Sequence, residues 1–123
     1  MIRLYNTLTR QVEEFKPIHS GKAGVYACGP TVYWFAHIGN MRAFLFADTL
    51  RRALAVDGLD VTFIMNITDV GHLVGDADEG EDKMIVAMRR EGKTAYEIAE
   101  FYAQSFFRDL ETLNILPADQ YPR

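Results

Sequence analysis

The chain has 123 residues, of which 49% are hydrophobic and 24% charged, and these fractions are those of a folded globular protein. This length suits one domain with a modest core and leaves no room for a second full domain. Thirteen basic residues against seventeen acidic ones give a formal charge of −4, which argues against a surface built mainly to bind a polyanion.

The number of cysteines and the length of the apolar runs indicate the cellular compartment of the protein. The single cysteine, Cys28, cannot form an internal disulfide, and the first residues lack the apolar stretch of a signal peptide. The longest uninterrupted apolar runs, such as Ala43 to Ala47, are far shorter than the roughly 20 residues that span a bilayer. We therefore expect a reduced, cytoplasmic protein with no membrane partner.

The first sixteen residues contain two short apolar pieces, at residues 4–5 and 12–15, separated by residues 7–10. This pattern predicts a small hairpin at the edge of a sheet. Pro17 and Gly21 then indicate a loop.

A β-α-β unit is predicted next. Residues 24–28 are typical of a short buried strand, which ends at Gly29. From Asn40 the apolar residues recur every three or four positions, which predicts an amphipathic helix with Asn40 as its N-cap and Gly58 as its C-terminal stop. Residues 61–65, rich in β-branched and aromatic side chains, form the second strand. The predicted apolar stripe of the helix consists of Ala43, Phe46, Ala47, Leu50 and Leu54.

The helical connection between the two predicted strands determines at which edge of the sheet their carboxyl ends lie. Parallel strands need such a connection, and it is almost always right-handed. Cys28 and Thr68 should therefore emerge at the same carboxyl edge of the sheet, where open α/β sheets bind ligands.

The second half of the chain reads as a loop and two helices. Glycines and acidic residues predict a loop over residues 71–80, and helices follow at about 81–90 and 95–113, the second with a capping box that begins at Thr94. The tail over residues 116–123 is expected to end without a closing element. The apolar stripe of the second helix, which needs a surface to pack on, consists of Ala95, Ile98, Tyr102, Phe106, Leu110 and Leu113.

The strongest local signal is the run of residues 26–33, followed by His37-Ile38-Gly39-Asn40 and then the helix. A helix amino terminus exposes N–H groups and a partial positive charge, which makes it a natural phosphate site. His37 and Asn40 could each add a donor, and Gly39 allows a ligand to approach the backbone. The structural alternative is that His37 satisfies a backbone carbonyl, Asn40 caps the helix and Gly39 serves the turn. These four residues alone favour that alternative.

Several segments taken together carry a resemblance to a known family: residues 4–9, 26–33, 37–40, 66–70, 80–84 and 113–117. In this order they closely resemble the amino-terminal part of the cysteinyl-tRNA synthetases, class I enzymes. The resemblance implies a Rossmann-like α/β half over residues 1–70, with parallel strands and a crossover helix. Residues 71–123 would then be the loop and helices that begin the connecting insertion. Such an incomplete domain is expected to expose apolar surface and to self-associate.

The resemblance also implies an ATP site. In this family the segment that matches His37, Ile38, Gly39 and Asn40 is the HIGH-type signature that binds ATP. His37 and Asn40 would be catalytic, because they would donate hydrogen bonds to the phosphoryl oxygens of ATP, which magnesium accompanies.

A zinc ion and an amino-acid pocket are implied in the same way. The cysteine that matches Cys28 is one ligand of a zinc ion that holds the thiolate of substrate cysteine. Thr68, Gly29 and Thr31 are expected at the substrate pocket. Zinc suits the task because a shape-based pocket gains only about 1 to 3 kcal/mol from so small a difference as that between cysteine and serine. A metal that binds thiolate strongly discriminates further.

The implied activity is that of the whole enzyme, which converts cysteine and ATP to cysteinyl-adenylate and transfers the cysteinyl group to tRNA(Cys). The family's KMSKS-type lysine segment, further zinc ligands and anticodon-binding region are not among these residues, so the chain alone is expected to be inactive. Two alternatives stay open. One is a ligase that passes activated cysteine to a small amine, as in mycothiol biosynthesis, and the other is a stand-alone binding module.

Overall fold

A computed structural model describes residues 2–69 and 80–123 of the chain. The predicted loop over residues 71–80 lies outside the described residues, apart from Gly80, at which a helix begins. The described elements, in chain order, are β1 (Arg3–Asn6), β2 (Gln11–Glu14), β3 (Lys22–Ala27), α1 (Ile38–Val56), β4 (Asp60–Met65), α2 (Gly80–Glu91) and α3 (Ala95–Thr112).

The amino-terminal hairpin is confirmed, but its expected place at the edge of a larger sheet is wrong. Strands β1 and β2 pair antiparallel, with Arg3 opposite Glu14, and form a two-stranded sheet of their own. Most of their side chains are exposed or only half-buried. The outer edge of β4 is occupied instead by the end of the chain, which hydrogen-bonds along it.

The β-α-β unit is confirmed. Strands β3 and β4 pair in parallel, from Lys22 opposite Asp60 to Ala27 opposite Met65, and α1 connects them. Gly58 follows the end of α1 with φ of 90°, a conformation that favours glycine, and so acts as the predicted stop.

The prediction that β3 is a buried strand is wrong. Its side chains alternate between the two faces, so that Ala23 is buried while Tyr26 remains 66% exposed. The same alternation in β4 buries Phe63 and Met65. The core therefore covers one face of the strand pair, because the helices pack on that face alone in the described part of the chain.

Helix α1 buries a face different from the predicted stripe. Ala47 and Leu54 are buried as expected, but Ala43 is exposed and Phe46 is 70% exposed. The buried face continues through Met41 and Phe44 instead. Phe44 lies edge-on to Phe106 of α3, with ring centroids 5.1 Å apart, and this contact sets the rotation of the helix.

Helix α3 packs along most of its predicted stripe, but Leu113, just beyond the end of the helix, is 40% exposed. Its capping box is confirmed, since the Thr94 hydroxyl accepts from Glu97 N and the Glu97 carboxylate accepts from Thr94 N. Its first half contacts α2 and the loop before α1, and its second half contacts α1 and β4. The stripe residues buried in these two clusters are Ile98, Tyr102, Phe106 and Leu110.

The division into domains at residues 70 and 71 stays a prediction.

The expectation that the tail ends without a closing element is wrong. Residues 119–122 run parallel to the outer edge of β4, where Asp119 N donates to Phe63 O at 2.8 Å and Met65 N donates to Gln120 O at 3.1 Å. Asp119 also accepts from Phe63 N through its carboxylate at 2.7 Å. These bonds satisfy backbone groups that an edge strand would otherwise leave unpaired.

Candidate active site

The loop between β3 and α1, residues 28–37, lies against the segment that follows β4. Val32 N donates to Thr68 O at 3.0 Å, and Thr68 N donates to Pro30 O at 3.0 Å. Cys28 directly follows β3, and Thr31 forms a parallel bridge with Thr68. The parallel pairing therefore brings both connections to the same edge of the sheet, as the sequence predicted.

Gly29 makes the closest backbone approach at this edge. A β-carbon at position 29 would lie 1.9 Å from the Asn66 carbonyl oxygen and 2.9 Å from Met65 Cγ. Gly29 N donates to the Asn66 side-chain oxygen at 3.1 Å, and Asn66 Nδ2 donates to the Thr68 hydroxyl oxygen at 3.2 Å. Asn66 thus orients Thr68, a role that the sequence did not single out.

The amino terminus of α1 is capped by His37, so the prediction of Asn40 as the N-cap is wrong. His37 has extended backbone angles, φ −105° and ψ 172°, and its Nδ1 accepts from Gly39 N at 3.0 Å. Asn40, inside the first turn, accepts from His37 N through its side-chain oxygen at 3.0 Å. The two side chains form a reciprocal capping box.

The capping box determines which atoms of His37 and Asn40 remain as donors. Because Nδ1 of His37 accepts a hydrogen bond, the neutral ring carries its proton on Nε2. Because Oδ1 of Asn40 accepts, its amide nitrogen keeps two N–H donors. His37 and Asn40 can therefore both cap the helix and bind a phosphate, because the cap uses their acceptor atoms and leaves their N–H donors.

His37, Asn40 and Thr31 come together around one cavity of about 220 Å³. This is below the roughly 300 Å³ at which ligand pockets usually begin, so the cavity would hold only part of a nucleotide. The remaining lining residues are Pro30, Tyr33, Trp34, Phe35 and Ala36.

The other predicted site residues do not line that cavity: Cys28, Gly29, Ile38, Gly39 and Thr68. Thr68 lines a neighbouring cavity of about 460 Å³, together with Asn66, Tyr26 and Arg123. Ile38 is 89% exposed at the start of α1 and lines a groove between α1 and α3. The site roles of these residues stay predictions.

Comparison with known proteins identifies the family. A family model described as tRNA synthetases class I (C) catalytic domain matches residues 14–123. The chain belongs to this family. It is 59% identical over 114 residues to a cysteine–tRNA ligase of Treponema denticola, an alignment that covers 93% of this chain and 23% of that relative.

Two further relatives agree. A cysteine–tRNA ligase of Novosphingobium aromaticivorans is 56% identical over 114 residues, which are 93% of this chain and 23% of the relative. One of Borrelia turicatae is 50% identical over 120 residues, which are 98% of this chain and 24% of the relative. This class I synthetase chain thus spans about a quarter of the length of the curated relatives it matches, and it is homologous to their amino-terminal catalytic region.

Cys28 is the zinc ligand that the resemblance to this synthetase family implies. Cys28 is exposed, and its sulfur lies 3.8 Å from the Gly29 carbonyl oxygen. Among the side chains that the structure describes, those of residues 2–69 and 85–123, no three histidine, cysteine, aspartate or glutamate side chains converge on a point where they could hold a metal. The described residues therefore do not make a zinc site by themselves. They offer one accessible thiol.

Helix length bears on the membrane prediction for this synthetase chain. Among the described residues, every helix is too short or too polar to cross a bilayer.

Proposed function

We propose that this chain is the part of a cysteine–tRNA ligase that binds ATP and cysteine. In the whole protein, ATP would activate cysteine to cysteinyl-adenylate, and the cysteinyl group would pass to tRNA(Cys). The observation that carries the proposal is the reciprocal cap at the start of α1. It leaves one ring N–H of His37 and the amide of Asn40 as donors in the segment that resembles the family's ATP signature.

The proposed chemistry needs donors at this place. The substrate carboxylate attacks the α-phosphorus of ATP, pyrophosphate leaves, and negative charge increases on the phosphoryl oxygens. Fixed N–H donors stabilise that charge, and the partial positive charge of a helix amino terminus adds to them. His37 Nε2 and Asn40 Nδ2 would supply the side-chain donors, and magnesium would enter with ATP as part of the substrate.

The amino-acid side of the site would lie at the same sheet edge. Thr68 has its hydroxyl oriented by Asn66, and Thr31 bridges to it through the backbone. Gly29 lets the loop approach β4 closely enough for this arrangement. We infer that these residues bound the pocket for the substrate amino acid.

We further infer that Cys28 is one donor of a zinc site whose other donors lie outside the described residues. Its exposed thiol at the end of β3 suits a ligand that meets donors from elsewhere in a longer protein. Bound zinc would supply selective binding of the substrate thiolate.

A chimera tests the proposed function. The matching 114 residues of the Treponema denticola relative are replaced by those of this chain, and cysteine-dependent exchange of pyrophosphate into ATP is measured together with charging of tRNA(Cys). Both activities are expected. A folded chimera without exchange, or exchange that does not require cysteine, would contradict the proposal.

A matched variant tests whether the ring N–H of His37 contributes to the activity. His37→Ser keeps a side-chain acceptor at the N-cap but removes the ring N–H, and we expect at least ~10-fold slower exchange. An unchanged exchange rate in a folded chimera would show that His37 is not a donor to ATP.

A further inference from the structure

Tyr102 joins three segments of the chain. Its side chain is only 3% exposed, and its ring lies 4.9 Å from Phe35 and 5.7 Å from Trp34, measured between ring centroids. Its hydroxyl donates to Glu91 Oε1 at 2.7 Å and accepts from Arg90 Nη2 at 3.3 Å. One buried side chain thus connects the β3–α1 loop to the carboxyl end of α2 and to α3.

Arg90 closes this arrangement from the solvent side. Its guanidinium carbon lies 4.1 Å from the centre of the Trp34 ring, and its Nη2 lies 2.7 Å from Glu91 Oε1. Tryptophan offers a cation the most favourable aromatic face, and Glu91 holds the guanidinium in place. We call this set, Trp34, Phe35, Arg90, Glu91 and Tyr102, the aromatic latch.

The protonation states of the latch support its hydrogen bonds. Burial, and then the hydrogen bond to Glu91, raises the pKa of the Tyr102 hydroxyl. Hydrogen bonds from Arg90 and Tyr102 lower the pKa of Glu91. At neutral pH the tyrosine therefore keeps the proton that it donates, and the glutamate keeps the charge that accepts it.

The latch acts on the middle of the β3–α1 loop. Hydrogen bonds hold the loop near its ends, where Val32 N donates to Thr68 O and His37 N donates to the side-chain oxygen of Asn40. Trp34 and Phe35 lie between these points and line the same cavity as His37 and Asn40. Both residues are nearly half exposed, and the contacts of their rings with Tyr102, together with Arg90 over Trp34, tie this part of the loop to α2 and α3.

We propose that the aromatic latch positions His37 for ATP, so that Trp34 and Arg90 are positioning residues of the candidate nucleotide site. This inference rests on the proposed function and adds that the contact of α2 and α3 with the loop sets the affinity of the site for ATP. A shift of the loop would displace His37, because Phe35 precedes it by two residues, and small misplacements at reacting centres are costly.

Steady-state kinetics of the chimera test the latch. Trp34→Leu and Arg90→Ala are each expected to raise the KM for ATP about tenfold while the KM for cysteine changes by less than about twofold. Trp34→Phe keeps an aromatic face and should restore most of the affinity for ATP. Arg89→Ala removes the same charge from the neighbouring exposed position and serves as the matched control, with unchanged kinetics expected.

Each outcome decides the inference. An unchanged KM for ATP in both Trp34→Leu and Arg90→Ala, or a parallel rise in the KM for both substrates, would overturn it in favour of a structural role. If Trp34→Leu does not fold, Arg90→Ala remains decisive, because its side chain is 45% exposed. An inactive unmodified chimera would instead refute the proposed function, so the two failures are distinguishable.

A spectroscopic measurement checks the contact itself. Trp34 is the sole tryptophan of the 123-residue chain, so the emission of the chain reports on that ring. Arg90→Ala should change the wavelength or intensity of this emission, whereas Arg89→Ala should not. Identical spectra for Arg90→Ala and the unmodified chain would contradict the pairing of Arg90 with Trp34.

Discussion

Gly29 lies so close to Asn66 that a β-carbon at position 29 would be 1.9 Å from the Asn66 carbonyl oxygen. The same two residues are joined by a hydrogen bond from Gly29 N to the Asn66 side chain at 3.1 Å. The approach holds the β3–α1 loop against the end of β4, where Thr68 receives a hydrogen bond from Asn66. Any side chain at position 29 would push these two segments apart.

Gly29→Ala should therefore destabilise the fold by about 2 kcal/mol, the range of costs found when a side chain is forced into a packed site. Gly24→Ala in β3 is the matched control, because a β-carbon there meets no atom within 4 Å. Urea unfolding of both variants measures the difference. Equal midpoints for the two variants would show that the loop tolerates the added methyl group.

The cap and donor roles of His37 can be separated by stability measurements. His37→Ala removes the Nδ1 acceptor of Gly39 N and should lower the free energy of unfolding by about 1 kcal/mol. His37→Ser restores a good N-cap and should recover most of that loss without restoring exchange activity in the chimera. Equal stability of the alanine and serine variants would show that the cap contributes little.

Asp48 is a buried carboxylate that connects α1 to the tail. It accepts from Arg52 Nε at 2.7 Å and from Leu116 N at 3.1 Å. Asp48→Ala leaves the Leu116 amide without this acceptor and should cost about 1 to 3 kcal/mol, whereas Asp48→Asn, which keeps one acceptor oxygen, should cost less. Thermal unfolding of the two variants checks this order, and the reverse order would refute the role of the Leu116 bond.

Acid should weaken the two carboxyl-terminal helices. Hydrogen bonds lower the pKa of three glutamates: Glu91 through Arg90 and then Tyr102, Glu97 through Thr94, and Glu100 through Gln104 and then Arg123. A carboxyl with a lowered pKa in the folded state adds stability above its unfolded pKa, and that stability is lost as pH falls through the folded value. The free energy of unfolding should thus decrease once the pH falls below about 4.5, the ordinary value for glutamate.

A variant with glutamine at positions 91, 97 and 100 measures this effect. It should lose less stability between pH 6 and pH 3 than the unmodified chain. In the unmodified chain each of these carboxylates takes up about one proton on unfolding in acid, and glutamine takes up none. Glu111→Gln, at an exposed position of α3, is the control and should follow the unmodified chain. Parallel pH curves for the triple variant and the unmodified chain would contradict the three lowered pKa values.

Cys28 should determine metal content in the chimera. Cys28→Ala removes the single thiol of this chain and is expected to remove most of the bound zinc, as measured by elemental analysis. Thr31→Ala, three residues later in the same loop, is the control for nonspecific disturbance and should retain the metal. Zinc content unaffected by Cys28→Ala would refute the ligand assignment.

Local sequence patterns predicted the regular elements well. Residues 61–65 were predicted as a strand and form most of β4, and the capping box at Thr94 begins α3 as expected. These features depend on side-chain types within a few positions of one another. Propensities, capping and periodicity therefore determine them before any distant segment is considered.

The N-cap residue and the buried face of α1 could be decided only from the tertiary structure. Asn40 is the preferred N-cap by residue type, but the extended backbone at the end of the β3–α1 loop gives the position to His37. Phe44 and Phe46 could each belong to the buried face of α1, and the place of Phe106 on α3 selects Phe44. For Phe44 the deciding partner lies on another helix and is absent from the local sequence pattern, whereas for His37 the deciding factor is the backbone conformation of the preceding loop.

In the candidate site, too, the local sequence determined some features and the tertiary structure determined others. By itself, the sequence determined the β-α-β unit, the sheet edge at which the segments after β3 and β4 meet, and the family to which the chain belongs. Only the tertiary structure decided that the tail covers β4, that Asn66 orients Thr68 and that Tyr102 connects the loop to α2 and α3. Local patterns act over one or two turns, whereas the tail and β4, or Tyr102 and the β3–α1 loop, are far apart in the chain and meet only when the fold packs them together. Asn66 and Thr68 are close in sequence, but their side chains are fixed by the approach of Gly29 from the β3–α1 loop.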